Sequence, residues 1–195
     1  MLTHIRHSEK VLVMRVFIAV LVLIFSFQSW TKADDIRDFE IEGMSIGGSL
    51  LDFMSINEIR QNTLSYFEDK RKYYIVGMIN NLKIYDQLEI YLKSNDKNYE
   101  IKAILAGLVI NDLNKCFEKK KEIVKSLDKI FTDIKKISGS KKHEADVTGN
   151  SKHYIDQYNI NFPNHIRVEC TDFSDEMIKS GLGKNSLNIV AMTKE

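Results

Sequence analysis

The 195-residue chain lacks a long apolar run, a basic excess and any nucleotide- or metal-binding signature. The longest apolar stretch, Val16 to Phe27, is interrupted only by Ser26 and covers 12 positions. A bilayer-spanning helix needs about 20 such residues, so the stretch is short for an anchor. No cysteine follows it closely, which argues against a lipid-bearing lipoprotein. The 28 Lys+Arg and 27 Asp+Glu nearly cancel, and nothing in their distribution resembles the basic footprint of a nucleic-acid binder. Proline occurs once, as Pro163, and arginine is sparse, while Lys, Ile and Asn abound. Those three residues have A/T-rich codons, so the skew reads as a mark of an AT-rich bacterial genome and carries no function.

Other absences concern chemistry. Gly47-Gly48 precedes Ser49, yet neither G-x-G-x-x-G nor G-x-x-x-x-G-K-[ST] is present, so the pair reads as a turn before a cap. His143-Glu144 lacks the second His four residues on that a zinc-binding helix requires. A metal site assembled from His143, Asp146, His153 and Asp156 is weighed against polar surface positions, and the surface reading is preferred for His143, His153 and His165 alike. "DVTGNS" is no Asp-Thr-Gly protease motif, since Val147 separates Asp146 from Thr148; it reads as a turn. No catalytic residue, cofactor-binding residue or metal ligand is therefore assigned from the sequence, and no cofactor is expected.

What is present begins with an address. Arg15, the apolar stretch, the polar segment Gln28 to Lys32 and the small residues Thr31 and Ala33 follow the order of a secretory signal peptide. Cleavage after Ala33 is expected, with Met14 as a natural start and residues 1–13 as an upstream extension; an uncleaved anchor over Val11 to Phe27 and a buried helix are the alternatives. Removing 33 residues takes four basic and one acidic side chain, leaving 24 against 26 and a formal charge of −2 over residues 34–195. One domain of that length buries a proper core. A periplasmic or secreted location follows, with a membrane contact only if the segment stays uncleaved and an envelope protein as the partner class that export implies.

The two cysteines, Cys116 and Cys170, admit one connectivity, and in an oxidising compartment they are expected to pair.

The periodicities describe an α+β domain. Phe39 and Ile41 alternate; Ser49 with Asp52 and Ser55 with Glu58 are N-cap patterns opening short N-terminal helices. Tyr73 to Ile79 reads as a strand beside a hairpin, in which Leu88, Ile90 and Leu92 alternate before the turn at 94–98 and Tyr99, Ile101, Ala103 and Leu105 after it. Tyr73, Tyr74, Tyr85, Tyr91 and Tyr99 read as cover for a sheet face. Leu113, Phe117, Val124, Leu127, Phe131 and Ile134 recur at helical spacing toward Ser138-Gly139, predicting one long helix, its lysines a solvated face. Residues 139–152 read as a polar loop, and three strands follow. The expected fold is an antiparallel sheet of two three-strand meanders packed by one long helix, whose apolar stripe covers the strand face of Ile166, Val168 and Cys170.

"ADDIRDFEIEGMSIGGSLLDFMS", "YEIKAILAGLVINDLNKCFEKKKEI" and "IRVECTDFS" with "SLNIVAMTKE" together resemble a family of small, uncharacterised exported proteins from AT-rich marine alphaproteobacteria. The resemblance spans most of residues 34–195. That family has Asp in place of Gly48 and runs on past the final strand. It carries no assigned activity, so it transfers no functional residue. A non-catalytic binding or interaction module is the expectation; an exported enzyme such as a hydrolase, or a membrane-tethered envelope structural protein, is the alternative.

Overall fold

The computed structural model describes residues 35–66, 72–161 and 163–193. The signal-peptide reading falls on residues outside these. The domain is α+β, with one eight-stranded antiparallel sheet and a separate two-stranded one. The small sheet pairs β1 (Glu40–Ile41) with β2 (Met44–Ser45). The large one comprises β3 (Thr63–Tyr66), β4 (Tyr73–Met78), β5 (Gln87–Lys93), β6 (Ile101–Val109), β7 (Lys136–Lys142), β8 (Lys152–Asn159), β9 (His165–Asp172) and β10 (Ser186–Met192). Its spatial order is β3-β4-β5-β6-β10-β9-β8-β7. Two four-strand meanders thus meet at their last strands, with Gly107 opposite Asn188 across the central β6–β10 ladder.

Each meander has one strand more than the sequence pattern predicts. The added strands are the two edges. β7 occupies residues read as the end of the long helix and the start of a polar loop. The helix, α2 (Leu113–Ile130), stops earlier, at the C-cap Phe131. β7 is exposed along its whole length, so burial selects no apolar alternation in it and its lysines suit an unpaired sheet edge. β3 is four residues long, with a bulge against β4, and neither its length nor its side chains signal a strand.

Local chemistry fixes the N-terminal elements. Ser55 Oγ accepts from the Glu58 amide while the Glu58 carboxylate accepts from the Ser55 amide, a complete capping box that starts α1 (Ile56–Gln61). Ser49 caps only a 3-10 turn, Leu50–Asp52. The Gly47 amide donates to Ile101 O and the Ile101 amide to Gly48 O, laying this segment along β6. The Glu42 carboxylate adds a clasp by accepting from the amides of Lys83, Ile84 and Tyr85.

The core lies on one sheet face. Leu88 and Ile90 on β5, Ile104 and Ala106 on β6, Leu187 and Ile189 on β10, and Ile166 and Val168 on β9 share it and are buried. α2 packs over β9 and β10 with Cys116, Phe117, Val124 and Leu127 turned inward, as its stripe predicts. Ile36, Ile41, Met44, Leu50 and Ile59 of the N-terminal segment join the same cluster. Three of the tyrosines, Tyr74, Tyr85 and Tyr99, pack against this core, whereas Tyr73 and Tyr91 alternate onto the opposite face; the five form no common cover. Tyr158 is fully buried and spends its hydroxyl on Asp128 Oδ1 (2.7 Å) and Val124 O (3.1 Å), tying β8 to α2.

Cys116 and Cys170 are joined as a disulfide, their Cα atoms 6.0 Å apart. It fastens the first turn of α2 to β9 across 54 residues of sequence. Closing a loop of that size removes roughly 3–5 kcal/mol of unfolded-state freedom in the chain-entropy model. Replacing both cysteines by Ala is expected to lower unfolding stability by that order, read from urea midpoints, with unchanged far-UV circular dichroism. Equal midpoints would show that the bridge adds nothing to packing.

Candidate functional site

The sheet face opposite the core carries the odd-numbered residues of β5, β6 and β9 and the even-numbered residues of β10, and among the described residues the long helix packs on the other face. Register sets their neighbours. Gln87 and Asn188 flank Gly107 from β5 and β10, and Asn188 in turn stands beside Glu169 of β9. One step along, Val109, Ser186, Thr171 and His153 form a second row. The loops after β7 and β9 rise beside this end of the sheet and flank an open cleft of about 610 Å³, within the roughly 300–1,000 Å³ range of small-molecule pockets.

Gly107 lets its neighbours close over the strand. A Cβ there would stand 3.1 Å from Gln87 Cγ, 3.2 Å from Gln87 Nε2 and 3.3 Å from Asn188 Oδ1, so the two side chains lean together across the bare backbone and form the floor at this point. Leu105, Val109, Phe173 and Leu182 supply apolar walls. Gly183 lets its loop lie directly on the Phe173 ring, since a Cβ would approach that ring to 2.4 Å.

The polar groups are tied to one another. Asn188 Nδ2 donates to Thr171 Oγ1 (3.4 Å) and Ser186 Oγ (3.1 Å). His153 Nδ1 lies 3.0 Å from the Thr171 hydroxyl and 3.6 Å from the buried Glu169 carboxylate. Arg167 Nε is 3.0 Å from the other Glu169 oxygen, an ion pair whose N–H is not aimed along the hydrogen-bond direction. His143 stacks on His153 with ring centroids 4.8 Å apart and meets Phe173 at 4.9 Å. On β5, the Tyr91 hydroxyl donates to Glu89 at 3.3 Å; burial, with Glu89 alongside, pushes that phenol up to about 12.

The loop bearing His143 is held by Asp146. Its buried carboxylate accepts from the hydroxyl and amide of Ser151 and from those of Thr148. The Ser151 hydroxyl bond leads the effects that keep the Asp146 carboxyl well below the usual range. Ser151 Oγ also accepts from the Ser174 amide at 2.8 Å, so the two loops over the cavity are joined. The turn expected over "DVTGNS" is therefore present, with Gly149 at φ +70°.

The sequence-derived histidine assignments need correction. His153 keeps only 15% side-chain exposure and lines the cavity with His143; His165 is half-buried, its Nδ1 3.2 Å from Pro163 O. The imagined metal set does not assemble: Asp146 is consumed by its turn, and Asp156 lies on the core face with Lys120 (2.8 Å) and Ser138. No cluster of three metal-ligating side chains occurs among the described residues. Cys116 and Cys170, the expected disulfide pair, are bridged on the core side and stand apart from the cavity. Gln87, Glu89, Gly107, Thr171 and Asn188 were not singled out by sequence. The available signal was an isolated glycine within the apolar strand "AILAGLVI", a mark of close approach or missing bulk.

Comparison with known proteins gives no match to any family model, curated sequence or solved structure.

Desolvation is the main cause holding His153 below its ordinary value; Glu169 pulls it up, while His143, Lys141 and Arg167 push it down. His165 is likewise lowered, chiefly by burial. Both bind protons less readily folded than unfolded. Their contribution is complete above the unfolded value of about 6.5 and is lost as pH falls below it. Unfolding free energy, measured by urea at a series of pH values, is expected to drop between about pH 7 and 5, and His153→Gln/His165→Gln is expected to flatten that drop. An unchanged slope in the double variant would contradict the assignment.

Proposed function

We propose that this chain is an exported, non-catalytic binding domain that holds a small molecule in the cavity on the open sheet face. Export rests on the signal-like order of residues 14–33, and the Cys116–Cys170 bridge is compatible with an oxidising periplasmic or extracellular space. The observation that carries the binding reading is the open cleft of about 610 Å³ on this sheet face. Two amides, a carboxylate and a histidine line it beside apolar walls, the mixture that small-molecule sites use. The side chains around it are fixed by mutual hydrogen bonds, which suits recognition of a bound shape.

A second reading, an exported hydrolase, has one observation in its favour. His153 is oriented at Nδ1 by Thr171 and Glu169, the arrangement of a general base. Against it, both cysteines are bridged, and the contacts of His153 Nδ1 run to Thr171 and Glu169, which belong to the polar row of the sheet.

Two outcomes are expected. Chain recovered from the envelope of the producing cell begins at or within a residue or two of Asp34, by N-terminal sequencing; intact Met14 in the cytoplasm contradicts export. Native mass spectrometry of that material shows a bound small molecule that Gly107→Val no longer retains, while His165→Gln, which lies outside the cleft, does. Retention by both variants would place the ligand elsewhere.

A further inference from the structure

We infer that this chain pairs with a second copy of itself through the outer surface of the two layers that cover its core: the acidic N-terminal segment of each copy lies on the lysine face of α2 of the other. The surface is separate from the cleft, which opens on the opposite sheet face.

The two layers sit side by side. Residues 35–62 lie against the β5–β6 half of the core face: the Gly47 and Leu50 amides donate to Ile101 O and Tyr99 O, and Glu42 holds the amides just before β5. α2 lies over β9 and β10. Because β6 and β10 are neighbours at the centre of the sheet, the boundary between the layers follows that central ladder, along the strands.

Their charges are opposite. Residues 35–62 hold two basic and six acidic side chains, a formal −4, while residues 113–130 hold six lysines and three acids, a formal +3. Pairing within the chain sharpens the contrast. In the segment, Asp35 is spent on Arg37, Glu42 on its three amides and Glu58 on its capping box. That leaves Asp38, Glu40 and Asp52 exposed, with no ion pair among the described residues. On α2, Glu122 pairs with Lys119, Asp128 with Lys136 and Lys120 with Asp156. Lys115, Lys121, Lys125 and Lys129 stay exposed, with Glu118 as the only acid of α2 outside a pair.

Apolar side chains stand among the free acids. Leu51, Phe53 and Ile56 are 40%, 44% and 42% exposed and flank Asp52 within six positions of sequence, a grouping that suits cover by another chain. Lysine is a fitting cover, since its methylene stem lies on apolar surface while its ammonium reaches a carboxylate. An ammonium over the Phe53 ring adds cation–π attraction.

A two-fold axis lying along the boundary satisfies both halves at once. It sets the acidic half of one copy on the basic half of the other, makes that contact twice, and closes the assembly at two copies. An axis across the boundary would set like charge on like.

The test is sedimentation velocity of the chain recovered from the envelope, over a concentration series at two salt levels. A dimer is expected at low salt, its dissociation constant rising about tenfold as ionic strength goes from roughly 0.05 to 0.5 M. Lys125→Glu/Lys129→Glu and Glu40→Lys/Asp52→Lys are each expected to be monomeric, with circular dichroism confirming their folds. An equimolar mixture of the two variants is expected to regain a dimer of one copy of each, because both contacts then join opposite charges again. A monomeric wild type at low salt, variants that still dimerise alone, or a mixture that stays monomeric would overturn the proposal. Growth past two copies with concentration would overturn the two-fold arrangement.

Discussion

The structure depends on covering one face of an eight-stranded sheet and leaving the other to solvent. The described residues offer one long helix and a short N-terminal segment with which to do this. α2 covers β9 and β10, and the segment containing Leu50 and Ile59 joins the same apolar cluster. The disulfide ties the start of α2 to Cys170 of β9, one of the two strands it covers. With this covering material on one side, the opposite face is not built as a second core. Its central positions include Gln87, Glu89, Asn188, Thr171 and Glu169, of which Asn188 and Thr171 hydrogen-bond laterally along the sheet and Glu169 pairs with Arg167.

That lateral satisfaction links architecture to the site. Side chains on neighbouring antiparallel strands stand about 4.5–5.5 Å apart at Cβ, so in-register polar residues form rows without needing a partner from above. Thr171 accepts from Asn188 and meets His153, and each bond removes a rotamer choice. At the glycine in this row the Gln87 and Asn188 side chains lean in over the backbone and make a polar floor. The two loops beside it, joined through Asp146, Ser151 and Ser174, bring Phe173 and His143 to the cleft. A candidate site then needs no dedicated element: it arises where two loops rise beside an ordered polar row.

The sequence made the buried part legible. Strands β5, β6, β9 and β10 alternate because one face of each is buried, and α2 shows its stripe for the same reason. The Ser55–Glu58 capping box is a local interaction that sequence spacing alone determines, and with two cysteines the bridge had no rival pairing. The edges were not legible: β7 is exposed throughout, so nothing in its side chains records that its backbone is paired, and β3 is only four residues long with a bulge. Helical spacing through Phe131 and Ile134 ran past the true end of α2, because Phe131 enters the core from the C-cap and mimics one more turn. The site was hidden for a related reason. Gln87, Asn188 and His153 look like ordinary solvent-facing alternates, and only register shows that they flank one glycine or cap one loop.

The central claim is that this open face, and not the helix-covered one, receives the ligand. Backbone amide chemical shifts of the isotopically labelled chain, followed while a small-molecule extract of the producing cell is added, test it most directly. Shifts concentrated at Gly107, Asn188, Thr171 and His153, with α2 unmoved, are the result this account predicts. Shifts concentrated on α2 or on the N-terminal segment, with Gly107 and Asn188 unmoved, would contradict it.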